Sequence, residues 1–342
     1  MKRIRVISWA TGKVGEAIAR ELLADPRYEL VGALVYGEEK DGRDLGEIVG
    51  MKAIGVRATR EKEQIFALPA DVVIHAPIGH KRSDEHDGDV IRLLESGKNV
   101  ISTRGWFNCR AFGDDYARKM EDACRKGGVT LAGLGMTPGF VAERLATTLS
   151  GAMLDLDHLT VSEAYDCSPL FDGLLRRMGF GMSPAEYEAS PISTNYDDMY
   201  SQVAWSVIET FGRRPDRVES RHGHVLAERE VRAGVLVIAP GTVQGTIRRW
   251  VAIVDGKPRF TMEYRWFVGR IPGWPDHSGW TFTTEGRPRF RMTLAYEPMP
   301  DHDERAMGYE MMSAVVIRAI EPVIAAAPGL FATPIFAPYR LR

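Results

Sequence analysis

Ala10-Thr11-Gly12-Lys13-Val14-Gly15 is the first place where residue types and spacing suit chemistry. It is the Gly-x-Gly-x-x-Gly fingerprint with Ala in the first position, and the chemistry it serves is the binding of a dinucleotide pyrophosphate. Gly12 lets backbone amides approach the phosphates, Gly15 lets a helix pack against the preceding strand, and the helix N-terminus favours negative charge. A plain structural turn is the competing reading of the same six residues. A second candidate lies at 159–165, where alternation puts Glu163 and Tyr165 on the face that also carries Leu159 and Val161. A half-buried carboxylate can act as a general acid or base or hold a substrate amine, whereas a structural salt bridge would need the same residue without any chemistry. A third group, Arg104, Trp106 and Asn108, suits a substrate pocket, with Trp106 equally suited to a core.

Around the glycines, the chain has the elements such a turn requires. Residues 4–9 form an apolar, β-branched run. Val14, Ala17, Ile18 and Leu22 then share one helical face, Asp25-Pro26 ends the helix, and a second strand occupies 30–35. An acidic residue about 20 positions past the glycines would bind the adenosine ribose. Val35, Tyr36 and Gly37 stand there instead. Tyr36 and Lys40 are the candidates on this side, and Lys40 with Arg43 points to a 2′-phosphate and so to NADPH, against a solvated loop or NADH. Strands at 71–76, 99–102 and 129–134 alternate with helices near 88–97 and 114–126, which predicts a parallel sheet. Ligands bind beyond the carboxyl ends of such strands, so Ala76, Pro77, Thr103, Met136 and Thr137 should border the cofactor, with Trp106, Asn108 and Met136 lining a substrate pocket. Thr137-Pro138 reads as an N-cap and first-turn proline opening a helix through 139–149.

Beyond residue 150 the period changes to two. Phe260, Met262, Tyr264 and Trp266 alternate with polar residues, Asp255-Gly256 predicts a tight hairpin to 247–254, and Glu285-Gly286 is read as the turn before a strand carrying Phe290, Met292, Leu294 and Tyr296. The open face of this sheet is a candidate dimer surface. A final helical run covers 305–326. The fold class expected is therefore α/β: an N-terminal Rossmann-type parallel sheet over 1–149, with the C-terminal helix and tail, 305–342, packing back on it, plus a C-terminal α+β domain at 150–304 with a mostly antiparallel open sheet.

Composition bounds the function. A chain of 342 residues exceeds one ordinary core and suits two domains. Its 44% hydrophobic and 26% charged content is that of a globular protein. A formal net charge of −2, with cations spread along the chain, lacks the footprint of a nucleic-acid or anionic-membrane binder and favours a small-molecule partner. Cys109, Cys124 and Cys167 form no CxxC pair and read as reduced thiols, consistent with a cytoplasmic protein. His222 and His224 share a strand face but have no HExxH, CxxC or carboxylate cluster beside them, so no metal is expected.

Taken together, Trp9 to Gly15, Met136-Thr137-Pro138-Gly139-Phe140, Met178-Gly179-Phe180-Gly181 and Gly241-Thr242-Val243-Gln244-Gly245 resemble the 2,4-diaminopentanoate dehydrogenase and native amine dehydrogenase family, relatives of dihydrodipicolinate reductase. The resemblance implies a homodimer of two-domain enzymes that move a hydride between NAD(P)H and a carbon bearing an amine or carbonyl, with the substrate in the interdomain cleft. Amine-forming members carry a catalytic Glu just after the fifth strand, where Thr103-Arg104-Gly105-Trp106-Phe107 has no carboxylate. Members acting on diamino acids hold the substrate carboxylate with an Arg about where Glu163 stands. The activity expected is hydride transfer to a C=N or C=O carbon of a small, mainly apolar substrate, with Glu163 and Tyr165 as catalytic candidates. The alternatives are an ammonia-independent ketone or aldehyde reductase and a catalytically silent NADPH-binding sensor.

Overall fold

The structure, a computed structural model, describes residues 2–79, 82–170, 172–193, 196–276, 278–297 and 304–341. It divides into two compact units, Met1–Phe140 with Gly308–Pro334, and Val141–Met307 with Ile335–Arg342.

In the first unit, β1 (Ile4–Trp9), β2 (Tyr28–Leu34), β3 (Ala58–Thr59), β4 (Val72–His75), β5 (Asn99–Ser102) and β6 (Thr130–Gly133) form one sheet with the short Gly329–Leu330 strand. The spatial order is Gly329–Leu330, β6, β5, β4, β1, β2, β3, and every pairing is parallel. Near-continuous apolar strands are what a sheet covered on both faces requires. Val6 and Ile7 accordingly enter different cores. Val6 packs with Ile18, Leu22, Ile74 and Val316; Ile7 packs with Trp9, Val73, Leu93 and Met120. The helix Lys13–Ala24 buries Gly15, Ile18, Ala19 and Leu22, the face its sequence marks. Because β1 lies between β4 and β2, its carboxyl end is the point where strand order reverses, which is where open α/β sheets bind ligands.

The expected helix over 139–149 begins later and differently. Thr137-Pro138 is a cis peptide within a turn, Gly139 has φ +116°, and helical backbone starts only at Val141. Such a φ lies outside the helical region and suits glycine, so the Thr-Pro pair closes a turn beside β6 rather than capping a helix.

The second unit has a six-stranded sheet. Its strands are β7 (Asp155–Asp166), β8 (Arg217–Leu226), β11 (Val243–Val254), β12 (Lys257–Phe267), β13 (Gly279–Arg287) and β14 (Arg291–Ala295); a separate hairpin pairs β9 (Val231–Ala233) with β10 (Leu236–Ile238). The order is β14, β13, β7, β12, β11, β8, with β7 and β12 parallel and the other pairs antiparallel. Asp255 and Gly256 both have positive φ, 52° and 71°, as the two-residue hairpin turn demands. Glu285-Gly286 is not a turn. It lies inside β13 at a register shift against β7, and the chain reverses only after Arg287. A Cβ on Gly286 would sit 2.2 Å from the Asp155 carbonyl oxygen, so glycine there answers a close strand approach.

Candidate functional site

In the first unit the site is a cradle of backbone. Gly12 caps the helix Lys13–Ala24 without any side-chain hydrogen bond, so the first amides of that helix keep their capacity for an anion. A Cβ at Gly12 would meet nothing within 4 Å, whereas one at Gly15 would lie 2.0 Å from the Ala10 carbonyl oxygen. Open space at the first glycine and close helix–strand packing at the second are what a pyrophosphate cradle needs. Ala10 turns the chain with φ +77°, its amide bonded to Leu34, and Thr11 beside it is buried. Val14 packs against the core, and Lys13 projects outward, 3.9 Å from Glu16.

Lys40 Nζ donates to the Thr11 carbonyl oxygen at 2.6 Å and to Glu16 at 3.0 Å, which brings the predicted phosphate-side lysine onto the glycine turn. Tyr36, half exposed, accepts a hydrogen bond from Trp9 Nε1 at 3.1 Å. At the neighbouring strand ends, Ala76 bonds to Trp9 and Thr103 to His75 through their amides, with Pro77 following Ala76. Met136 accepts a bond from the Phe140 amide in the turn that contains Thr137.

A buried cluster that sequence reasoning missed underlies these ends. His75 Nδ1 lies 3.0 Å from Ser102 Oγ, which accepts from the Arg104 amide, and the Trp106 ring stands edge-on to His75 at 5.4 Å. Burial holds His75 well below the usual histidine range, so it stays neutral. Trp106 adopts φ +60° and is buried, and Asn108 uses its side-chain oxygen to cap the turn Cys109–Phe112. Among the described residues no group of three or more His, Cys, Asp or Glu gathers as a metal site. His222 contacts Asp197 at 3.3 Å and His224 packs on Tyr187.

In the second unit the site is the sheet face that carries Glu163. Register places Glu163 opposite Tyr264 on β12 and Trp280 on β13. Its two oxygens accept one indole N–H each, from Trp266 and Trp280, both at 2.7 Å. Burial without a cation raises its pKa to about 7, the two indole bonds opposing the shift. The salt-bridge reading of Glu163 therefore gives way, among its described contacts, to a carboxyl that titrates near neutrality inside an aromatic cage. Tyr165, two residues on, is opposite Trp266. Tyr200 from the helix Asp197–Thr210 packs on Tyr264 at 4.4 Å and on Trp250 at 4.6 Å, and Tyr196 stands edge-on to Trp266. Glu143, on the segment Val141–Ala146, acts electrostatically on Tyr264, so a second carboxylate belongs to this surface. The cage joins residues more than 100 positions apart, and only strand register reveals it.

Residues 4–77 match the family described as dihydrodipicolinate reductase, N-terminus, and residues 140–335 match 2,4-diaminopentanoate dehydrogenase C-terminal domain. The chain is 27% identical to an amine dehydrogenase of Streptomyces virginiae over 96% of its own length and 94% of the relative's. A shorter stretch, 20% of this chain and 26% of the relative, is 36% identical to the 4-hydroxy-tetrahydrodipicolinate reductase of Ruegeria pomeroyi. In fold it is similar to an amine dehydrogenase from Mycobacterium smegmatis, with a TM-score of 0.78 at 19% identity over 100% of this chain and 97% of that one.

Proposed function

The chain belongs to the 2,4-diaminopentanoate dehydrogenase C-terminal domain family, and from that premise we propose that this NAD(P)-dependent oxidoreductase reduces a C=N or C=O carbon of a small molecule, with Glu163 as its proton donor and acceptor. The observation that carries this reading is the Glu163 carboxyl, buried between Trp266 and Trp280 with a pKa near 7. A general acid works best when its pKa lies near the working pH.

A nicotinamide dinucleotide, when bound, supplies or accepts the hydride. The glycine turn and the free amides after Gly12 fit its pyrophosphate, and Lys40 on that turn fits a 2′-phosphate, which favours NADP over NAD; Glu16 beside Lys40 limits the preference. In the reducing direction the substrate carbon gains a hydride and its heteroatom a proton. Neutral Glu163 gives that proton and its anion, held by two indole N–H groups, takes it back in oxidation. Tyr165 polarises the heteroatom from the same face. We assign the homodimer contact to the opposite face of this sheet.

Ammonia-independent carbonyl reduction is the second reading, favoured by the absence of a carboxylate at 103–107. Absorbance loss of NADPH and of NADH with aliphatic and cyclic ketones, each with and without high ammonium, separates the two. Ammonium-dependent turnover supports C=N chemistry; equal turnover without ammonium makes the chain a carbonyl reductase. Tight NADPH binding with no turnover on any substrate overturns both.

A further inference from the structure

Arg248 places a cation on the Glu163 face. One cross-strand row runs His222, Arg248, Tyr264, Glu163, Trp280, so two interstrand steps, about 10 Å, separate the Arg248 and Glu163 backbones. Arg248 is buried, and a guanidinium keeps its charge in a protein, so burial cannot be relieved by losing the proton. Its Nη2 donates to Tyr187 Oη and to the Ile192 carbonyl oxygen, each at 3.1 Å. Its Cζ lies 4.7 Å from the centre of the Tyr196 ring and 5.6 Å from that of Trp266, within the range at which an aromatic ring attracts a cation. The Trp266 indole in turn donates Nε1–H to Glu163 Oε1 at 2.7 Å. One indole therefore connects the guanidinium to the carboxyl.

The other ionisable groups around Glu163 are neutral or engaged elsewhere. Burial holds the hydroxyls of Tyr200, Tyr264 and Tyr296 and the Cys167 thiol above their ordinary ranges, and each feels the Glu163 carboxyl. Tyr165 acts on Tyr296 from the same strand as Glu163, and Glu143 acts on Tyr264. Asp197 is engaged by Trp250, His222 and Ser220. Glu263 serves Arg249 and Arg265 on the opposite face. Arg248 and Glu163 both act electrostatically on Tyr200, so their fields overlap inside the cage. A charge in such low-dielectric surroundings acts over a longer range than in water.

We propose that Arg248 is a positioning residue for Glu163: its guanidinium holds the Trp266 indole against the carboxyl and stabilises the anion left when Glu163 gives up its proton. This deepens the reading of Glu163 as the proton donor and rests on it. Burial favours the acid form, and a cation about 10 Å away, at the effective dielectric of a protein, offsets that by about one pH unit. Acid and anion are then both populated near pH 7, as a hydride transfer that runs in either direction needs. Loss of the charge and loss of packing act with opposite signs. Without the cation the Glu163 pKa rises from about 7 to about 8, whereas water admitted to the cage lowers it towards 4.5, its ordinary value.

The test is infrared titration of the full chain, following the protonated-carboxyl band that is lost in Glu163→Gln. In Arg248→Gln, whose amide keeps a donor for Tyr187 and Ile192, the midpoint should rise from about 7 to about 8. Oxidation at pH 7, which needs the anion, should fall about fivefold as the anion's share drops from about one half to about one tenth. Arg248→Lys keeps the charge and should hold the midpoint near 7, as should Tyr187→Phe, which removes a neutral acceptor. A midpoint in Arg248→Gln that stays near 7 or falls overturns the proposal, since a structural role alone predicts one or the other. If Arg248→Gln does not fold, Arg248→Lys decides: a midpoint near 7 supports the role of the charge and one near about 8 overturns it. The band reads the carboxyl without turnover, so the two failures are distinguishable. Turnover unaltered in Glu163→Gln strikes the proton-donor reading, whereas an unmoved band strikes the role of Arg248 alone.

Discussion

Glu163 is distinguished by its partners. Indole N–H groups stabilise its anion without supplying a charge, so burial dominates and the acid form persists to about pH 7. Glu163→Gln keeps the size and the hydrogen-bonding shape but cannot exchange a proton. Its turnover should fall by about 10²- to 10⁴-fold with dinucleotide affinity unchanged, as read by steady-state kinetics and cofactor fluorescence; unaltered turnover removes Glu163 from the mechanism. The same shift sets a stability signature. Between pH 4.5, its ordinary value, and about 7, the folded protein holds a proton that the unfolded chain has released. The associated stability is fully present below about pH 4.5 and is lost as pH rises through 7, by up to about 3 kcal/mol relative to Glu163→Gln. Denaturant unfolding of both proteins across pH 4 to 8 measures that difference, and parallel curves would refute it.

At the scale of elements, the two glycines of the nucleotide turn separate folding from binding. Gly15→Ala drives a Cβ into the Ala10 carbonyl, and the helix must withdraw from β1, costing about 1–3 kcal/mol by thermal or denaturant unfolding. Gly12→Ala meets no atom and should cost under about 1 kcal/mol, yet its methyl occupies the space for a pyrophosphate, so dinucleotide affinity should fall at least about tenfold. Full affinity in a folded Gly12→Ala protein would remove this turn from the cofactor site. Those glycines were legible because their signals are local: an apolar strand before them, a helical stripe after them. The Asp255-Gly256 hairpin was legible for the same reason. Thr137-Pro138 and Glu285-Gly286 were misread because each dipeptide satisfies a local rule, while the deciding facts are the backbone at Gly139 and the approach of β7 to Gly286. Alternation marked Glu163 as unusual, but its cage depends on pairing with residues 103 and 117 positions away. His75 carried no local signal. It reads as the last residue of a short apolar strand, and only assembly buries it.

For the whole molecule, the face of the second sheet opposite Glu163 is the one to which we assign the dimer contact. Its central row runs Arg221, Arg249, Glu263, Ser162, Thr281 and Thr293. Glu263 is buried and holds Arg249, Arg265 and the Ser162 hydroxyl, so cations and hydroxyls are locally satisfied around one carboxylate. Thr160 and Thr283 extend the row of short β-branched side chains along the strands, and short side chains let the face of a second copy approach closely. A two-fold contact sets each residue near its own counterpart region, so a single substitution acts on both protomers at once. Ser162→Arg adds a third cation beside Arg249 and Arg265 around the single Glu263 carboxylate and removes a hydroxyl that donates to it. Sedimentation should therefore give twice the chain mass for the unmodified protein and the single-chain mass for Ser162→Arg, with far-ultraviolet circular dichroism unchanged between them. A dimer that persists in the variant places the contact elsewhere, and a monomeric unmodified protein refutes the assignment outright.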